Sequence, residues 1–173
     1  MEYFLRTARL GFRCWRDDDL ALAMELWGDP EVTALIGGPF SEETVRARLA
    51  KEIAQMREYG MQYWPIFLLD GGEHVGCAGL RPYRVEERVF ELGFHLRRAF
   101  WGQGLATEAA RAAIEYGFRA LRAEALFAGH HPRNEASREL LLKLGFVRTG
   151  EELYPPTGLM HPSYLMRRTE FQI

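Results

Sequence analysis

The segment Trp101-Gly102-Gln103-Gly104-Leu105-Ala106-Thr107 constrains this chain more than any other. It stands between a strand signal, Val89 to about Arg97, and a helix signal that runs to Leu121. Glycines allow the tight backbone turn that such a junction needs. The first N–H groups of the helix have no intrahelical acceptor, and the helix dipole is positive at that end. Strand, glycine turn and helix in that order predict a site for a phosphate or pyrophosphate. The plainer alternative is a connection that binds nothing.

Three phosphate-binding readings compete for the turn. A P-loop needs Lys-Ser/Thr after the second glycine, and Leu105-Ala106 removes it. A dinucleotide fingerprint needs glycine at the position of Thr107 and an acidic residue about 20 positions further on. Glu124 has that spacing from Gly104, but it falls at the start of a strand signal rather than its end. Coenzyme A is the third reading.

The 173 residues suit one domain, expected to span 1–173. With 47% hydrophobic and 27% charged residues, disordered, collagen-like and disulfide-scaffold classes are excluded. A net charge of −2 gives no global basic field for nucleic acid. Cys14 and Cys77 make neither a disulfide framework nor a four-cysteine metal site, and no metal is expected. No window approaches the roughly 18 apolar residues of a membrane span, and no signal-peptide stretch opens the chain. A soluble, cytoplasmic protein with no membrane partner is the expectation.

Elsewhere, Leu10 to Trp15 alternates as a strand. Asp17-Asp18-Asp19 predicts the cap of a helix, Leu20 to Trp27, that stops near Asp29-Pro30. Ser41 opens a long helix to Gly60, with Val45, Leu49, Ile53 and Met56 as its apolar stripe. Neither helix carries a residue set that suggests chemistry. Strands Gln62 to Leu69 and His74 to Leu80 flank the hairpin signal Asp70-Gly71-Gly72. Ala125 to Gly129 reads as a strand and Asn134 to Leu144 as a helix stopped by Gly145. Phe146 to Leu153 and Ser163 to Arg168 are the last strands. Hairpins followed by one strand–helix–strand crossover predict an α/β (α+β) fold with a mixed, mostly antiparallel sheet and about four helices.

Glu91-Leu92-Gly93-Phe94-His95-Leu96, with the glycine turn and Glu108-Ala109, resembles motif A of the GCN5-related N-acetyltransferases (GNAT). Thr7-Ala8-Arg9-Leu10-Gly11-Phe12-Arg13 resembles the opening strand of the RimJ/RimL branch. So does the Asn134, Ser137 helix that ends in Leu144-Gly145-Phe146. Trp101 stands where the broad family usually has Arg or Gln, a replacement common in that branch. The resemblance implies acetyl-CoA as cosubstrate and transfer of its acetyl group to a primary amine. It further implies a sheet that splays after the motif-A strand. The pantetheine arm would lie along Phe94, His95 and Leu96, and the pyrophosphate would sit on Gly102, Gln103, Gly104, Leu105, Ala106 and Thr107.

Acetyl transfer needs a neutral amine, a polarised thioester carbonyl and a proton for the leaving thiolate. Glu91 shares a strand face with Gly93 and His95 and is the candidate base. Its other reading is a carboxylate paired with one of the arginines. Asn134 reads as a helix cap and, by resemblance, as a ligand of the pantetheine or substrate. Many relatives carry a proton-donating Tyr where this chain has Leu141, so the resemblance assigns that role to Ser137. Arg97, Arg98 and Arg138 are candidate partners of coenzyme phosphates. Direct attack in a ternary complex is expected, since no nucleophile stands beside a base. The expected acceptor is a peptide N-terminal α-amine. Alternatives are a small amine (polyamine, amino acid or antibiotic) or a non-catalytic coenzyme A-binding module. Exposed edge strands would allow a homodimer.

Overall fold

The central strands are buried in continuous runs, as in β-segments covered on both faces, and they belong to one sheet. The computed structural model describes residues 1–171. Among them the chain forms, in order, β1 (Leu5–Arg6), β2 (Leu10–Phe12), α1 (Leu20–Trp27), α2 (Pro30–Thr33), α3 (Glu42–Tyr59), β3 (Tyr63–Leu68) and β4 (His74–Arg84). β5 (Val89–Leu96), α4 (Leu105–Arg119), β6 (Ala125–Gly129), α5 (Glu135–Leu144), β7 (Val147–Tyr154) and β8 (Leu159–Arg167) follow. The sheet order is β1-β2-β3-β4-β5-β6-β8-β7, antiparallel throughout except for the β5–β6 pair. The mixed, mostly antiparallel α/β class is as expected.

Five α-helices are described rather than about four, because Asp29-Pro30 starts a helix instead of only ending one. The Asp29 side chain accepts from the Glu31 N–H, and Pro30 takes the first helical position, where no N–H is needed. Asp19 precedes α1 but gives it no side-chain cap. Its carboxylate instead grips the Arg13 guanidinium at 2.7 and 3.0 Å. α3 is capped as its sequence predicts, by Ser41 at one end and left-handed Gly60 at the other.

Each face of the sheet carries its own core. α4 lays Ala110, Ala113 and Ile114 against Leu80, Leu92 and Leu126 on one face. On the other, α1 and α3 bury Trp27, Leu26, Val45 and Leu49 against Trp15, Tyr63 and Cys77. Each such fully buried large side chain contributes roughly 1.5–3 kcal/mol. The functional cleft opens on the α1/α3 face, where Glu91, Gly93 and His95 of β5 also point.

Candidate active site

The parallel β5–β6 ladder stops early. Val89, Phe90 and Glu91 pair with Ala125, Leu126 and Phe127. Past Glu91, β5 pairs only with β4, and past Phe127, β6 pairs only with β8. The sheet therefore splays there, as the family resemblance implied. Arg97 N–H donates to Val75 on β4. By the two-residue alternation of an antiparallel ladder, Gly93 and His95 likewise turn their main-chain groups toward β4. Leu92, Phe94 and Leu96 turn theirs into the gap. The Leu96 carbonyl accepts the indole N–H of exposed Trp101 at 2.8 Å.

The glycine turn closes one end of that gap. Gly102 and Gly104 have φ values of 74° and 75°, a region that favours glycine. Gly104 is the N-cap of α4, so no side chain covers the helix's first amides. Glu108, one turn in, ties this helix to the first strands. It accepts from Thr7 Oγ1 at 2.6 Å, from Arg9 N–H at 2.8 Å and from Arg9 Nε at 2.7 Å. Arg9 also donates to the Gln103 carbonyl at 2.9 Å. Other arginines considered for the phosphates are engaged: Arg97 with Glu25, Arg98 with Asp29 and Glu31, and Arg138 with Glu135.

A cavity of about 150 Å³ opens at the splay, bringing Glu91, Phe94, His95, Asn134 and Ser137 onto one surface. Arg81 faces Glu91, Gly79 faces Gly93 and Cys77 faces His95 across β4 and β5. Tyr63, opposite Gly79, lays its ring over Gly93, whose missing side chain leaves the room. The Tyr63 hydroxyl reaches Glu91 at 3.4 Å. Burial pushes the Glu91 carboxyl above its ordinary value, with Arg81 and the Tyr63 phenol pulling the other way. Burial also raises Tyr63 well above its usual range, so the phenol keeps its proton and donates. His95 is held well below its usual value by burial and by the Arg48 and Arg81 guanidiniums. Its Nδ1 accepts from the Trp27 indole at 3.2 Å, so the neutral ring carries its proton on Nε2.

Across the gap, Asn134 caps α5 by accepting the Ser137 N–H at 3.0 Å. The Ser137 hydroxyl hydrogen-bonds no described residue. His130 lies beside them, donating from Nδ1 to the His131 carbonyl and accepting at Nε2 from Tyr164 at 3.0 Å. No group of three or more metal-ligating side chains occurs among the described residues.

Sequence reading missed what α3 contributes. Glu52 is buried, accepts from the Tyr63 N–H at 2.8 Å and pairs with Arg81 at 3.1 Å. Arg48, one turn earlier, lines the cavity with its guanidinium over the Trp27 ring. The available signal was spacing: Glu52 falls three residues after Leu49 and seven after Val45, on the buried stripe.

An open strand edge beside an anion-binding turn, with a perturbed carboxylate facing it, is the arrangement of an acyltransferase fed by a coenzyme A thioester. Residues 9–147 match the family model described as an acetyltransferase (GNAT) domain, so the chain belongs to the GNAT family. It is 32% identical to the protein YkkB of Bacillus subtilis over 82% of this chain and 83% of that one. It is 31% identical to the FsC-acetyl coenzyme A-N(2)-transacetylase of Aspergillus fumigatus over 90% of this chain and 71% of that one. Its fold matches a RimL ribosomal L7/L12 α-N-protein acetyltransferase with a TM-score of 0.81, at 16% identity, over 96% and 94% of the two chains. The protein is thus a GNAT-type N-acetyltransferase that uses acetyl-CoA.

The residues present fit that cosubstrate. The unpaired β5 edge offers the Phe94 main chain and the Leu96 N–H, and the bare start of α4 offers amides to a pyrophosphate. When bound, acetyl-CoA would supply an activated acetyl thioester.

Proposed function

We propose that the chain acetylates the α-amino group of a peptide N-terminus by direct attack in a ternary complex. One observation carries this reading: Glu91, a carboxylate with raised basicity, lines the same cavity as Asn134 and Ser137. Glu91 takes a proton from the incoming ammonium. The amine nitrogen then bonds to the thioester carbon as the carbon–sulfur bond breaks. Ser137 Oγ–H passes its proton to the leaving thiolate and takes in return the second proton shed by the acylated nitrogen, so the hydroxyl is restored, and the Leu96 N–H, turned into the gap, polarises the carbonyl. An α-amine has a reference pKa near 8, so a single moderately raised carboxylate suffices as base. A polyamine would bring extra cations against Arg48 and Arg81. RimL-type enzymes of the same fold support a peptide acceptor.

Thiol release should be followed with tetrapeptides, free amino acids and spermidine as acceptors. Peptide turnover that falls about 100-fold in Glu91→Gln and at least about tenfold in Ser137→Ala is expected. Turnover of free amino acids or spermidine without peptide turnover, or undiminished turnover in both variants, overturns the reading.

A further inference from the structure

Arg48 is an anomaly in the cavity wall. Its guanidinium lies 4.7 Å from the Trp27 ring centroid and forms no ion pair among the described residues. Its Nε is buried without any hydrogen-bond partner. A guanidinium that is neither solvated nor paired at a buried donor carries an energetic cost, and such an atom in a cleft asks for an acceptor from a ligand. Beside it stands a second unmet donor. His95 accepts at Nδ1 from Trp27, and its protonated Nε2 bonds to no described residue. Arg81 shares the unpartnered Nε, but its guanidinium already pairs with Glu52 at 3.1 Å, whereas that of Arg48 has no carboxylate among the described residues. One corner of the cavity thus presents a guanidinium fork and an imidazole N–H, while the Glu91 end presents carboxylates. That is the polarity of a site for a molecule with an amine at one end and an acid at the other.

Resting on the acceptor reading above, we infer that Arg48 and His95 form a carboxylate subsite, so that the preferred acceptor bears an acid group close to its reacting amine. The acid is a carboxylate rather than a phosphate. A phosphate's near-double charge would confront Glu91 and Glu152 across a cavity of about 150 Å³, whereas a singly charged planar carboxylate matches the fork. Two sources carry this chemistry: the side chain of an acidic N-terminal peptide residue, or the α-carboxylate of a free amino acid.

The test uses matched acceptors: a glutamate-led against a glutamine-led tetrapeptide, and a free amino acid against its carboxamide. Wild-type kcat/KM should favour the acid member of at least one pair by about tenfold or more, and the winning pair identifies the source. Arg48→Gln should erase that preference through KM, and Arg48→Lys should keep part of it. Calorimetry with the N-acetylated products gives a readout independent of turnover. The acid product should bind about tenfold more tightly than its amide in wild type and equally in Arg48→Gln. Turnover without acid preference overturns the subsite and leaves the acceptor reading standing. Arg48-dependent acid binding without peptide or amino acid turnover does the reverse. Neither effect removes both.

Discussion

Glu108, on the first turn of α4, accepts a 2.6 Å hydrogen bond from the hydroxyl of Thr7, about a hundred residues earlier in the chain. With Arg9 joining the same carboxylate, the opening strand region becomes the clamp of the coenzyme turn. Partial burial works against the charge, but the bonds from Thr7 and Arg9 outweigh it and hold Glu108 below its ordinary value. Arg9→Ala should weaken acetyl-CoA binding by about tenfold in calorimetry, the loss of one charge-assisted contact. An unchanged affinity would show that the turn keeps its shape unaided.

The proposed base role of Glu91 can be read from pH. Its carboxyl is raised by burial, so under that role kcat/KM should climb with pH through the raised value. Glu91→Gln should remove that limb and about 100-fold of activity. The stability effect has the opposite sign. The native state holds this proton more tightly than the unfolded chain, so the stability this one group contributes is fullest at low pH and declines as pH rises through the raised value. Thermal unfolding should therefore show Glu91→Gln at least as stable as wild type at pH 8, and a lower midpoint there contradicts the account.

Gly93→Ala tests the seat of Tyr63. An added Cβ would run into the Tyr63 ring and hydroxyl and drive them away from Glu91. Overpacking of this kind costs typically about 1–3 kcal/mol. Both the unfolding midpoint and kcat should fall, and a fully active, equally stable variant would place Tyr63 outside the mechanism.

Cys77 is the one buried thiol facing the cleft residues, 3.6 Å from His95 Nδ1. Burial pushes it up to about 12, so almost no thiolate exists at neutral pH. Iodoacetamide should leave turnover intact, Cys77→Ala should retain it, and no acetylated enzyme should appear by mass spectrometry without acceptor. Stoichiometric acetyl-Cys77 would replace direct attack with a two-step route.

Local chemistry made much of this fold legible. Ser41 and Gly60 bracket α3, Asn134 and Gly145 bracket α5, and Asp70-Gly71-Gly72 turns the β3–β4 hairpin. Three prolines sit inside elements that the sequence boundaries left out. Pro30 begins α2, and Pro82 extends β4 where β3 no longer pairs with it. β8 likewise runs through Pro162 and starts at Leu159 rather than Ser163. Of the cavity lining, Glu91, Asn134 and Ser137 could be picked out beforehand because they stand in the segments that resemble the family motifs. Arg48 and Glu52 were not, because their meaning lies in strands β3 to β5 packed against α3, which no local pattern encodes.

Three cross-strand pairs, from Val89 to Glu91, are all that ladders β1–β5 to β6–β8. Mechanically the sheet is two plates sharing a short seam, with α4 and its side chains bridging them from one face. A pantetheine arm lodged along Phe94 and Leu96 would act as a removable ninth strand, supplying rungs that the polypeptide omits. Amide exchange along Phe94, Leu96 and the neighbouring plate should slow together when the coenzyme binds, and the enzyme becomes a single cooperative sheet only while it is loaded.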